Sequence, residues 1–283
     1  MRIIIVGPGR AGMALARAAL AADHRLVAIV GKDTAQAERA VSATPGAAPL
    51  TVDDPMPEAD LLVVATRDDV IAPVAEALAP QVTAVTAAVH LSGLSSVHSL
   101  QALASAGLET GAFHPLQTLP TPEAGAARLH GAWIGITAEE PLRSVLHDLA
   151  ASLGASPFDI ADRDKALYHA GAAAAANFGL ATLAMAEDLL AAAGVPFEAV
   201  RPLVQAVVDN AFEMGSRPSL TGPISRGDVG TVRGQLDAVA AARPDWLASF
   251  GSMVLLVASI AGRRHEFEDL LASWESPETE SSP

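Results

Sequence analysis

The chain opens on an unbroken apolar run, Arg2 to Val6, rich in β-branched residues. Such a run suits a strand buried on both faces. Ala11 to Ala22 is rich in Ala and Leu and predicts a helix, and Arg25 to Val30 predicts a second buried strand. Strand, helix and strand within about thirty residues make a βαβ unit. The alternation continues with a helix at Ala37 to Ser42, a strand at Asp60 to Ala65 and a helix at Val70 to Leu78. A strand at Val82 to Val89 and a helix at Ser96 to Ala106 follow. Short strands are expected near Glu109 to Phe113 and Trp133 to Thr137, then a helix at Leu142 to Leu153 and an edge strand at Pro157 to Ile160. Strands that alternate with helices predict an α/β fold, here a doubly wound, mostly parallel Rossmann sheet.

Beyond Ala161 the strand pattern stops. Four helical stretches are predicted: Asp164 to Ala193, Phe197 to Met214, Ser225 to Ala242 and Pro244 to Leu271. Gly194-Val195-Pro196 and the segment Ser216 to Pro223 separate the first three. This pattern predicts an all-helical C-terminal domain over 161–272, after an α/β domain over 1–160. The tail 273–283 is Ser, Glu and Pro and is expected to be disordered.

Composition narrows the function classes. The formal charge is −14, which argues against the basic surfaces that nucleic acid and anionic lipid require. There is no cysteine, so disulfides and thiolate chemistry are excluded. The eight histidines lack ligand spacing, and no metal is expected. Between Lys165 and Glu187 the only potentially charged residue is His169, but the segment is mostly Ala and Gly, too weakly apolar for a membrane span. The N-terminal apolar run is too short for a signal-peptide core, so a cytoplasmic location is expected.

The first strand–helix turn reads Gly7-Pro8-Gly9-Arg10-Ala11-Gly12. A lone G-x-G-x-x-G is weak, but here it stands between a strand and a helix with a second strand beyond, which is the setting of a dinucleotide site. Gly7 permits the tight turn, Gly9 admits the pyrophosphate and Gly12 lets the helix approach the strand. Free N–H groups at the helix start then hold the phosphates. After the second strand comes Gly31-Lys32-Asp33-Thr34. Gly31 stands where an acid would read the ribose of NAD, and Lys32 follows to meet a 2′-phosphate, so NADP is expected. NAD stays open, because a shift of one residue would set Asp33 on the ribose. Thr66 and Arg67, after the third strand, and Ser92, after the fourth, are expected to line the cofactor, while Asp68 and Asp69 have the alternative role of helix caps.

Three places gather groups that move protons. One is His114, after a predicted strand. The second is the start of the long helix, where Lys165, His169, Ala173 and Asn177 recur every four residues with Tyr168 beside them. This stripe reads either as a cavity wall or as polar groups satisfied at a helix crossing. The third is the loop from Leu220 to Asp228, with Thr221, Gly222 and Arg226 placed to hold a substrate carboxylate. A reductase needs an acid near the heteroatom that gains charge. His169 is the first choice, Lys165 the second and His114 the rival.

The motifs Val89-His90-Leu91-Ser92-Gly93, Phe113 to Thr118, Tyr168-His169-Ala170 and Leu220 to Asp228 resemble a two-domain bacterial family, Rossmann-like plus domain of unknown function 2520. That family is similar in layout to pyrroline-5-carboxylate reductase, prephenate dehydrogenase and ketopantoate reductase. The resemblance implies an active site in the cleft between domains and a homodimer through the helical domain. Lys165 and Asn177 look like the Lys and Asn of the wider hydroxyacid dehydrogenase group, at longer spacing. It further implies NADPH-dependent reduction of a small 2-oxo acid, with ketopantoate and pantothenate biosynthesis as the leading assignment. A cyclic-imine reductase or prephenate-type dehydrogenase is the alternative. A non-catalytic NADP-binding redox sensor is the alternative of another class.

Overall fold

The computed structural model describes residues 1–275. The strands are β1 (Arg2–Val6), β2 (Arg25–Val30), β3 (Ala48–Leu50), β4 (Ala59–Val64), β5 (Val85–His90), β6 (Glu109–Leu116), β7 (Trp133–Thr137) and β8 (Ser156–Asp159). They form one sheet in the order β3-β2-β1-β4-β5-β6-β7-β8. All neighbours are parallel except β6 and β7. Helices α1 (Arg10–Ala21), α2 (Thr34–Val41), α3 (Ile71–Leu78), α4 (Gln101–Ser105), α5 (Pro122–Leu129) and α6 (Leu142–Ser152) connect them. The strand order reverses beside β1, so the connections after the paired strands β1 and β4 run to opposite sides and leave at their carboxyl ends the crevice where such sheets bind ligands.

The apolar runs explain the two-sided burial. Along β1, Ile3 and Ile5 enter one core with Leu15, Ala16 and Phe113, and Ile4 and Val6 enter the other with Ile71 and Leu78. Alternate side chains of one strand thus serve opposite faces. The pattern found every long strand. It did not find β3, whose three residues include Pro49 at the sheet edge, a position that tolerates a missing N–H.

Past the sheet come α7 (Lys165–Ala173), a π-helical turn at Ala174–Phe178 and α8 (Gly179–Ala192). The helix expected as one piece from Asp164 therefore contains a wider turn. Then follow α9 (Arg201–Met214), α10 (Pro223–Arg226), α11 (Val229–Ala242), α12 (Leu247–Ile260) and α13 (Arg264–Glu275). Two expected helices are broken. Gly227, left-handed at φ 73°, ends α10 and Asp228 caps α11, whose Thr231 N–H it accepts at 3.0 Å. Gly262, also at positive φ, separates α12 from α13. Helix α13 takes in residues 273–275, so the expected tail is helical there. The rest of the tail lies outside the described residues.

The chain divides into two compact units, residues 1–177 and the remainder. The first keeps α7 and most of the π turn, beyond the boundary read from sequence after residue 160. Lys165 and Tyr168 account for this, because Lys165 bonds to the loop after β5 and Tyr168 to His114 of β6. The second unit has its core on α11, α12 and α13, built from Val232, Leu236, Val254, Ala258, Phe267 and Leu270. No helix among the described residues is long and apolar enough to cross a membrane.

Candidate active site

The glycine loop forms a cradle. Gly7 has φ 90°, a conformation that disfavours side chains, and its N–H bonds to Val30 O at 2.9 Å. A methyl group on Gly12 would collide with the Gly7 carbonyl and lie 2.9 Å from Ala65 Cβ, so helix and strand meet at this point. Gly9 faces open space, and as N-cap of α1 it offers no side chain to the helix N–H groups. Those donors are left for an anion, aided by the helix dipole. Arg10 is exposed beside them, with Pro8 and Ala11 half-buried. The buried Thr66 hydroxyl, whose methyl flanks Gly7, has no hydrogen-bond partner among the described residues. A glycine cradle with an orphaned hydroxyl on its wall fits a dinucleotide pyrophosphate.

At the end of β2, a methyl group on Gly31 would lie 2.8 Å from the Ala37 nitrogen, so α2 packs against bare backbone here. Asp33 caps α2 and accepts the Gln36 N–H at 2.7 Å, while Gln36 Oε1 accepts the Lys32 N–H at 2.8 Å. The Lys32 ammonium stands in solvent, 3.9 Å from Asp33. Arg67 is likewise exposed and pairs with Asp69.

The loop after β5 is held from several directions. Ser92 Oγ donates to Asp68 at 2.8 Å and accepts the N–H groups of Leu94 and Ser95. Ser92 N–H donates to Nδ1 of the buried His90 at 3.2 Å, and Ser92 O accepts from Lys165 Nζ at 3.1 Å. Lys165 is only 2% exposed, and burial lowers its pKa to about 8 against the pull of Asp162 and Asp68. It stands behind the site wall, whereas the sequence stripe set it on a cavity beside His169.

The proton-moving groups meet next to this loop. His114 comes from β6, and its Nδ1 lies 2.6 Å from the hydroxyl of Tyr168 on α7. His169 faces the same ring, with centroids 6.1 Å apart. Burial, then His169 and Lys165, lower His114 to about 4, so the ring is neutral at pH 7. Burial raises Tyr168 to about 12. With the Tyr168 hydroxyl protonated and donating to Nδ1, the ring proton sits on Nε2. These groups line a groove of about 700 Å³ together with Leu116, Thr118 and the alanines of α7 and the π turn. Asn177, in the π turn, lines it too and is exposed. No lining side chain is charged apart from the titratable histidines.

Thr221, Gly222 and Arg226 belong to the second unit, where Gly222 caps α10 and Thr221 and Arg226 are exposed. Sequence reading quoted Gly93 only within the Val89 to Gly93 motif, without a role at His114, and passed over Asp162. A methyl group on Gly93 would lie 2.6, 2.8 and 2.9 Å from three atoms of the His114 ring. A glycine beside an anchored serine was the one signal for it.

Two family models match the chain: a Rossmann-like domain over residues 1–115 and a domain of unknown function, DUF2520, over residues 132–255. No protein of curated function matches it. Among solved structures, a Thermotoga maritima protein is 21% identical at a TM-score of 0.70, covering 92% of this chain and 98% of that one. A Bacteroides fragilis protein described as a candidate NADP oxidoreductase is 20% identical at 0.76, covering 91% and 98%. An imine reductase of Myxococcus stipitatus, solved with NADP⁺, is 14% identical at 0.67, covering 96% and 100%. These identities show a shared fold.

Proposed function

Because the chain is a two-domain protein of the Rossmann-like plus DUF2520 kind, we propose that it is an NADP-dependent oxidoreductase that reduces a carbonyl or imine carbon. The carrying observation is the neutral His114 on the groove, its Nδ1 2.6 Å from the Tyr168 hydroxyl, and the reading takes the ring proton to be on Nε2. NADPH, when bound, supplies the hydride. As charge develops on the substrate heteroatom, His114 gives up the Nε2 proton and Tyr168 replaces it at Nδ1. A neutral imidazole serves as the electrophile in the same way in triosephosphate isomerase. The description of the Bacteroides protein as a candidate NADP oxidoreductase and the NADP⁺ in the Myxococcus structure favour NADP(H). Asp33 favours it too, since its carboxylate is engaged as a cap and Lys32 is left for a 2′-phosphate.

The uncharged groove lining favours a neutral ketone or cyclic imine over a 2-oxo acid. A 2-oxo acid such as ketopantoate is the second reading. A homodimer through the second unit belongs to the proposal, as α9 has no buried residue. The experiment is NADPH oxidation with neutral ketones, cyclic imines and 2-oxo acids in parallel. Turnover of a neutral substrate is expected, and His114→Gln should lower kcat by about 10²- to 10⁴-fold. Parent-like kcat in His114→Gln would remove the assigned acid. Exclusive use of 2-oxo acids would transfer the conclusion to the second reading.

A further inference from the structure

Two elements converge on His114. Gly93 presses its backbone on the ring, close enough that a methyl group would overlap three ring atoms. Tyr168 holds Nδ1 from α7. One buried contact ties these elements together. Lys165, three residues before Tyr168, donates to Ser92 O, the carbonyl directly before Gly93. Asp162 adds a second tie, accepting the Val97 N–H at 2.9 Å and the Ser96 hydroxyl at 2.5 Å. Asp68 holds Ser92 from the β4 side. Lys165 is among the largest fully buried side chains, is absent from the groove lining and points at a carbonyl. An ammonium so placed has no path to a substrate proton, yet its removal would release both sides of the His114 clamp.

We propose that Lys165 is a positioning residue: it draws the Ser92–Gly93 loop and the start of α7 together, and so sets the orientation and tautomer of His114. The proposal rests on the reading of His114 as the site's proton donor only for its consequence in turnover, because the clamp itself is observable without substrate.

Tyr168 is the sole tyrosine, so protein labelled with ¹³Cζ-tyrosine gives one NMR line from one side of the clamp. Full-length protein would be compared as parent, Lys165→Met and Gly93→Ala. With burial holding Tyr168 at about 12, the parent line should stay protonated at pH 10. In both variants the line should shift at pH 7 and be about half ionised at pH 10, the ordinary tyrosine pKa. Lys165→Gln, which keeps an N–H donor, should restore most of the parent behaviour. An unmoved line in either folded variant overturns the proposal, and Gly93→Ala, which adds one methyl beside a movable side chain, keeps the test in force if Lys165→Met does not fold. On a good substrate, Lys165→Met should lower kcat more than it changes KM. If His114→Gln leaves turnover unchanged while Lys165→Met still moves the Tyr168 line, the catalytic reading falls and the clamp stands. If turnover depends on His114 and the line is unmoved, the clamp falls alone.

Discussion

The two units treat apolar residues in opposite ways. In the first, both faces of the sheet are covered, and β1, β4 and β5 expose almost nothing. In the second, one small core joins α11, α12 and α13, and α8 and α9 contribute almost nothing to it. Helix α9 is fourteen residues long with none buried, and Phe212 is 89% exposed, Leu203 64% and Val207 60%. Phe178 and Leu180, before and within α8, are exposed as well. An isolated helix of this length is marginal in water, and most helical stability comes from packing an apolar face. The first unit satisfies its own hydrophobic pattern, whereas the second carries a pattern written for a surface it does not supply. A second copy of the same chain is the economical occupant, because a two-fold axis lets one patch cover its own image.

The strongest way to break this contrast is to charge the open face. Phe212→Asp with Val207→Asp should convert a dimer to a monomer. Buried aromatic and aliphatic anchors cost about 2 kcal/mol or more each when lost, so the pair should weaken association by about a thousandfold. Sedimentation across a concentration series reads the change, and the loss of helical signal should fall on the second unit. A parent monomeric at all concentrations would refute the dimer.

The same contrast decided what sequence could reveal. Buried strands announce themselves, because no polar residue interrupts Ile3 to Val6 or Leu61 to Val64. The glycine loop was legible for a related reason, since Gly7 and Gly12 each answer a local steric demand. Helical spacing from Lys165 to Asn177 was legible as a pattern, and His169, Ala173 and Asn177 line the groove, but Lys165 does not. Periodicity says which residues share a face and nothing of what that face meets. Lys165 meets a carbonyl from β5 and Tyr168 a ring from β6, contacts across more than fifty residues of chain that spacing cannot encode. The break at Gly262 was missed because the flanking residues stay helical in composition.

A smaller effect would sharpen the contrast from the cofactor side. The glycine loop, Lys32 and Thr66 all belong to the first unit. Lys32→Ala should weaken NADPH by about tenfold, the size of one charge-assisted contact, and leave NADH unchanged. The charged α9 variant should bind NADPH as the parent does. Titration of cofactor fluorescence measures both. Equal losses for NADPH and NADH in Lys32→Ala would remove the lysine from the 2′-phosphate.

The smallest effect is in pH. Both strongly lowered histidines, His90 and His114, lie in the first unit, and burial is the leading cause for each. Each titrates at about 4 in the folded chain against 6.5 ordinarily. Between those values the unfolded chain holds protons that the folded one does not, so stability rises with pH across this window and is lost as pH falls through it. Lys165, lowered to about 8, acts with the same sign higher up: from there to its ordinary 10.5, rising pH favours the folded chain. The shifts resolved in the second unit belong to half-buried ion pairs such as Arg243 with Asp188 and to helix caps such as Asp228, and none comes from a buried histidine. Thermal melting at pH 4.5 and pH 6.5 should therefore destabilise the first unit by several degrees at the lower pH and leave the second nearly unchanged. His90→Asn with His114→Gln should flatten that difference. A double variant with the parent's pH slope would place the acid sensitivity elsewhere, and an equal loss in both units would show that the contrast in burial does not extend to charge.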